Sequence, residues 1–396
     1  MKQIGVGTFK VTDLMREYVN DVLDKERLSY GWYSRELERE FAMIHDCGFA
    51  VLSNSGTSSL QVALQALKEI YGWEDGDEVL IPSVTFVATA NIVLHCGMKP
   101  VLVDVDLVHY EMDPHILQMR FEDIISPRTR AMIPVHLFGQ PCDMVKLMLI
   151  AKEHDLCVIE DSCECMFVKS YGKMVGSWGD VGCFSTYIAH LLTTGVGGIA
   201  TTNVPEIAFK MRSLVNHGRD DIYMSIDDDK NLSEKKLNEV IAKRFQFNSI
   251  GHSYRITELE AALGLAQLKD YQSMIDKRNI NAFTLTTKLI NLSGKIQLPS
   301  VRFGNQHSWM MYPILAFDGH KKALTEHLEA NGIETRDMLP LVNQPCYKGM
   351  WNPEDYKRAQ EVDKCGFYVG IHQELNEDDL DYIAEKIGEY YDISTG

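Results

Sequence analysis

Ala50-Val-Leu-Ser-Asn-Ser-Gly-Thr-Ser-Ser-Leu60 reads as a short apolar strand, a turn of small hydroxyl residues, and an apolar helix continuing from Leu60 to Ile70. Small residues at a helix N-terminus present unpaired N–H groups and the positive end of the helix dipole. Gly56, Thr57 and Ser58 are therefore a candidate anion site. Ser and Thr are equally favoured as plain helix caps, so this stretch alone leaves both readings open. Upstream, apolar positions recur at helical spacing over residues 11–28, the segment Leu28–Trp32 breaks the pattern, and a second helix runs from Ser34 to Ile44. Downstream, the text alternates. Strands are expected at Glu78–Pro82, Pro100–Asp104, Ala131–Leu137, Cys157–Asp161, Val181–Thr186 and Gly198–Thr202, with helices at Phe86–Leu94 and Asp143–His154. Strands alternating with helices predict a mostly parallel α/β sheet. Ligands in such sheets bind beyond the carboxyl ends of the strands. Ser55–Ser58, Asp161 and Ser185–His190 all fall at such ends, so one crevice is expected to collect them.

Length and charge limit the function. A chain of 396 residues is long for one core, which predicts one large and one smaller domain. Apolar content of 45% and charged content of 24% suit a soluble globular protein. A net charge of −17 argues against nucleic-acid binding, whose footprint is basic. The start, MKQIGVGTFKVTD, lacks the apolar core of a signal peptide, and no run of about 18 apolar residues exists. A cytoplasmic protein without a membrane span is expected. The nine cysteines are scattered, with Cys163 and Cys165 the only close pair. Metal sites need ligands paired at defined spacing, so no metal is expected.

A second stretch concentrates chemistry. Gly182 to Gly198 runs from a strand into a loop with glycines at 195, 197 and 198, hydroxyls at Ser185, Thr193 and Thr194, and His190 at its centre. Asp161, at an earlier strand end, is open to three readings: helix cap, metal ligand, or partner of a protonated cofactor ring nitrogen, as in pyridoxal-phosphate enzymes. No G-x-G-x-x-G follows a strand and no G-x-x-x-x-G-K-[ST] occurs. An anion site, a later Asp and a Ser-containing glycine loop fit a phosphorylated pyridine better than a dinucleotide.

The motifs then match a family. Asn-Ser-Gly-Thr-Ser-Ser-Leu (54–60), Asp-Glu-Val-Leu-Ile-Pro-Ser-Val-Thr-Phe-Val-Ala-Thr (77–89), Pro-Val-His-Leu-Phe-Gly-Gln-Pro (134–141), Ile-Glu-Asp (159–161), Gly179-Asp180 and Tyr-Arg-Ile-Thr-Glu-Leu-Glu-Ala-Ala-Leu-Gly-Leu-Ala-Gln-Leu (254–268) stand in order. With Asn343-Gln-Pro345 and Tyr347, the chain resembles the DegT/StrS sugar aminotransferases almost end to end. That resemblance implies a fold-type I pyridoxal-phosphate transferase. A large α/β domain at 1–265 would carry the cofactor, and a smaller α+β domain would span 266–396. It further implies roles by position. Gly56, Thr57, Ser58 and Ser185 would hold the phosphate. Phe86 would stack on the ring, and Asp161 would meet the ring nitrogen. Glu164 stands where the family usually has Gln or His near the ring hydroxyl. Ser253, where relatives commonly carry Asn, and Arg255 would contact the cofactor, and Tyr254 and Arg255 lie in a segment that would reach across a homodimer interface into composite sites.

His190 is the main departure. The family pattern F-S-x-x-x-x-K-x-x-x-x-G-E-G-G has its cofactor-binding lysine at this position, and Val196 replaces the Glu. No lysine lies between Lys173 and Lys210. A covalent link to the cofactor aldehyde needs a primary amine, which imidazole lacks. The cofactor would be held noncovalently, while a ring with an ordinary pKa of about 6.5 still moves protons. The exchange resembles that in the lysine-less 3-dehydratases of nucleotide-linked 4-keto-6-deoxy sugars, although those usually show a second His where Leu191 stands here. Three readings follow. The first is a dehydratase with His190 and Asp161 as catalytic groups. The second is an aminotransferase using noncovalent pyridoxamine phosphate, with glutamate as amino donor. The third is an inactive cofactor- or sugar-binding relative.

The remainder is less distinctive. An acidic run at Asp227–Asp229 precedes a Lys/Glu-rich helix, read as a solvated insertion. A long helical region is expected over 258–292, then a strand at Trp309–Phe317 and helices at Lys321–Asn331 and Asp378–Tyr391. Arg336 reads as a surface ion-pair residue or a donor-carboxylate ligand.

Overall fold

The strands are β1 (Phe49–Ser53), β2 (Glu78–Pro82), β3 (Lys99–Val103), β4 (Thr129–Met132), β5 (Cys157–Asp161), β6 (Lys169–Ser170), β7 (Lys173–Met174), β8 (Val181–Ser185) and β9 (Gly198–Thr202). β10 (Ile296–Gln297), β11 (Met311–Ala316), β12 (Thr335–Asp337) and β13 (Gly366–Gly370) follow. This computed structural model describes residues 2–219, 230–338 and 340–394, so the acidic run Asp227–Asp229 lies outside them. A seven-stranded sheet has the order β1-β9-β8-β5-β4-β2-β3. Only β9 runs against its neighbours. The carboxyl ends of β1, β2, β5 and β8 consequently share one edge.

Period-two alternation gives this sheet two apolar faces, as a sheet covered on both sides requires. Val51, Val79, Ile81, Ile159 and Val181 share a core with Leu60 and Leu64 of the helix Gly56–Tyr71 and with Met211 of the helix Pro205–Val215. Leu52, Phe184 and Ile199 face the opposite way, toward Leu37 and Phe41 of the helix Trp32–Ile44. Burying each such side chain contributes about 1.5–3 kcal/mol. Glu258 fixes the entry of that helix, its carboxylate accepting from Tyr33 N at 2.9 Å and Ser34 N at 3.1 Å. Below the site, Glu160 accepts from Gly176 N, Trp178 N and Gly179 N at 2.7–2.9 Å and pairs with His136 Nε2 at 3.1 Å. These bonds hold the chain that leads into β8.

The second sheet has the order β10-β11-β13-β12 and is antiparallel throughout. The helices Tyr271–Leu289 and Glu377–Ser394 pack on it. Ile4 bridges Ile333 and is buried in this same core, so the first residues lie against the small sheet rather than with the larger part. The single helical region read over 258–292 is two helices, Glu258–Leu268 and Tyr271–Leu289. Neither Gly nor Pro marks the break. The first packs on the helices Asp13–Asp24 and Trp32–Ile44, the second on Glu377–Ser394. The strand read to Leu137 stops at Met132, because Pro134 has no N–H for a ladder. Past it the chain keeps one bridge to β5, Val135 to Asp161, and turns through Phe138 at φ 59°.

Candidate active site

Ser55 sets the first wall. Extended at φ −168°, it caps the helix with its hydroxyl, which accepts from Ser58 N at 3.0 Å. The helix therefore starts at Gly56 rather than Leu60, and the leading N–H groups of Gly56 and Thr57 have no intrahelical acceptor. A Cβ on Gly56 would stand 2.7 Å from Ser185 Cβ and 2.8 Å from Cys163 Sγ. Only glycine lets these three segments touch. Ser58 differs from expectation: its hydroxyl donates to Asn54 Oδ1 at 2.7 Å and meets Ser55 Oγ at 2.9 Å. It braces the loop.

Asp161 ends β5 and is buried. One carboxylate oxygen accepts from Thr89 Oγ1 at 2.9 Å, the other from Cys163 N at 3.3 Å. Among the described residues no lysine or arginine pairs with it. Burial raises its pKa from the ordinary aspartate value, against the hydrogen bonds from Cys163 and Thr89. Thr89 was not foreseen. It lies on the helix Val87–His95, one turn beyond Phe86, which caps that helix and is 56% exposed. Glu164 follows Asp161 by three residues and accepts from Phe138 N at 2.7 Å. Burial pushes its carboxyl up to about 7, with the neighbouring Asp161 charge adding to the rise.

His190 sits in the loop between β8 and β9, its N–H bonded to Tyr187 O at 2.9 Å and its ring edge-on to Tyr187 at 6.0 Å. Nδ1 is buried without a hydrogen-bond partner. Burial lowers the ring to about 4 rather than the ordinary 6.5 expected. The imidazole is therefore neutral at physiological pH. That makes it ready to accept a proton, and its protonated form a stronger acid than a solvated imidazolium.

The match to known proteins is nearly end to end. Residues 10–388 fit the DegT/DnrJ/EryC1/StrS aminotransferase family. The chain belongs to that family. It is 33% identical over 388 residues to the GDP-perosamine synthase of Caulobacter vibrioides, covering 97% of each chain. It is 30% identical over 383 residues to the dTDP-4-dehydro-2,6-dideoxy-D-glucose 3-dehydratase of Saccharopolyspora spinosa, covering 92% of this chain and 81% of that one. The aminotransferase from Psychrobacter cryohalolentis superposes with a TM-score of 0.87 at 26% identity over 98% of each chain. As a DegT/StrS member the protein is an enzyme of a pyridoxal-phosphate-dependent group of sugar aminotransferases and dehydratases, with the fold-type I architecture.

Three features fit the family's cofactor: a cradle that a Cβ at position 56 would fill, a buried Asp161 with no lysine or arginine partner among the described residues, and an orphaned Nδ1 on His190. Ser253 and Arg255 flank Tyr254, whose carbonyl touches the start of the cradle loop. Both are exposed, and Arg255 Nη2 donates to Ser253 Oγ at 2.8 Å. Between them, Tyr254 O accepts from Asn54 N at 2.7 Å. Arg336 pairs with Glu334 on the edge of the small sheet, as the ion-pair reading had it. Glu164 supplies a stability test. Its folded pKa is raised, so the folded protein holds a proton that the unfolded chain releases, and stability falls as pH rises from about 4.5 to about 7. Glu164→Gln is expected to melt about 2–4 °C higher than the parent at pH 8. At pH 4.5, where the carboxyl is protonated in the fold, the gain should shrink toward zero. Calorimetry at both pH values checks this.

Proposed function

We propose that this enzyme removes the C3 hydroxyl of a nucleotide-linked 4-keto-6-deoxy sugar, using noncovalently held pyridoxamine phosphate. The observation that carries the reading is His190 in place of the lysine, with no other lysine between 173 and 210. When bound, pyridoxamine phosphate would supply an amine for the 4-ketone and the two electrons that, with a solvent proton, put hydrogen at C3; the hydroxyl would leave as water, and hydrolysis would release the cofactor nitrogen as ammonia. The chain's own groups do the rest. Gly56, Thr57 and Ser185 hold phosphate, Asp161 holds the ring-nitrogen proton, and Phe86 covers one ring face. Neutral His190 takes a proton from the cofactor methylene carbon and returns it to the leaving C3 oxygen. An amino donor such as glutamate restores the cofactor amine.

The exposed Ser253–Arg255 pair supports a homodimer in which these residues complete the partner's site. No described helix is long and apolar enough to cross a membrane. All nine cysteines are free, which supports a reducing, cytoplasmic setting. A second reading, amino transfer from noncovalent pyridoxamine phosphate, draws support from the 33% identity to a perosamine synthase. An inactive cofactor- or sugar-binding relative is the third, and the intact Asp161–Thr89 pair speaks against it. Mass spectrometry separates all three. Protein incubated with pyridoxamine phosphate and a nucleotide 4-keto-6-deoxy sugar is expected to yield a product lacking one oxygen. A product that gains nitrogen establishes amino transfer, and unchanged sugar overturns both enzymatic readings for that substrate class.

A further inference from the structure

We propose that Tyr347 is a positioning residue for the ring side of the site, locking the helix that carries Phe86 and Thr89 to the segment 340–347. This deepens the cofactor reading above and rests on it. The helix Val87–His95 begins at Phe86 with no side-chain cap, so its first turn depends on support from elsewhere. Inside the crevice the support is thin: Thr85 Oγ1 and Thr89 Oγ1 are 2.9 Å apart, and Thr89 reaches Asp161.

Outside the crevice the helix packs on the helix Gly56–Tyr71, and a distant segment adds polar ties at its start. Pro340 bridges Val84, and Leu341 N donates to Ser83 O at 2.9 Å. The Tyr347 hydroxyl lies 2.7 Å from Asn91 Oδ1 and 3.0 Å from Val87 O. It has one proton for two acceptors, so it spans the first turn of the helix. Burial holds its pKa up at about 12, which keeps the proton in place at working pH. Leu341, Val342 and Tyr347 share the core of Ala90, Ile92 and Val93. The far end is tied as well. Asp104 accepts from Ser83 Oγ at 2.9 Å and from Arg358 N and Ala359 N at 3.0 and 3.1 Å. Residues 83–91 are thus held at Ser83, Val84, Val87 and Asn91 by chain that runs between strands β12 and β13 of the small sheet. Movement of that sheet would be felt first at Phe86 and Thr89.

Tyr347→Phe keeps the ring and removes the hydroxyl. Amide exchange is expected to quicken at Val87–Asn91 and to stay unchanged in the helix Gly56–Tyr71. Pyridoxamine phosphate should bind about three- to tenfold more weakly, while inorganic phosphate, which probes the Gly56–Ser185 cup alone, binds as before. Thr89→Val should reproduce the ring-selective loss, and the double variant should lose less than the sum. Unchanged exchange at Val87–Asn91 overturns the proposal, as does an equal loss for phosphate or full additivity with Thr89→Val. If the parent protein fails to bind pyridoxamine phosphate, the cofactor reading falls instead, and the exchange experiment still decides the role of Tyr347.

Discussion

His190→Gln is expected to lower the rate of C3 deoxygenation by about 10²–10⁴-fold, the range for removing a positioned general acid–base. Gln has similar size and polarity but carries no titratable proton. Pyridoxamine phosphate affinity should change less than tenfold, since the groups proposed to hold phosphate and ring are Gly56, Ser185 and Asp161. The pH profile tests the burial argument separately. A ring lowered to about 4 is neutral over the working range, so the limb of kcat/KM that belongs to His190 should appear only as pH drops toward 4. Glu164, at about 7, titrates nearer neutrality, so an acid limb near 6.5 that persists in Glu164→Gln would show a solvated His190 ring. A parent-like rate in the variant would remove His190 from the chemistry. His190→Lys completes the test by restoring a primary amine: pyridoxal phosphate should then attach covalently, in a form that borohydride fixes.

The strands β2, β5 and β9 lie where the sequence reading puts them, because each is an apolar run with clear boundaries. What was not legible depends on distant packing. The break at 269–270 comes from two helices docking on different partners. The early helix start at Gly56 comes from a cap, whose residue type was visible but whose register was not. The site shows the same division. Gly56, Asp161, Ser185 and His190 stood out by residue type at strand ends. Thr89 and Tyr347 stood in motifs without a role, since a Thr in an apolar helix and a Tyr 258 positions beyond it gain meaning only when the chain brings them together. Burial was equally invisible, and it moves His190 down and Glu164 up.

Asp161→Asn should act with opposite sign on the free and the loaded protein. In the free protein the carboxyl is buried, has no lysine or arginine partner among the described residues, and has its pKa raised by desolvation. A raised carboxyl pKa means that stability is lost as pH climbs from the unfolded carboxylate range toward the folded one. Asn has no charge to bury, so the ligand-free variant is expected to melt higher than the parent at pH 8. The loaded protein reverses this. A protonated ring nitrogen is the cation the carboxylate lacks, and breaking a buried charge pair costs about 3 kcal/mol or more. Affinity for pyridoxamine phosphate should therefore drop about 10²-fold, and the rise in melting temperature on adding cofactor should shrink, since that rise follows ligand concentration over Kd. Calorimetry with and without cofactor reads both signs in one experiment. A variant that melts lower when free, yet gains as much from cofactor as the parent, would make Asp161 a structural cap and not the ring-nitrogen partner.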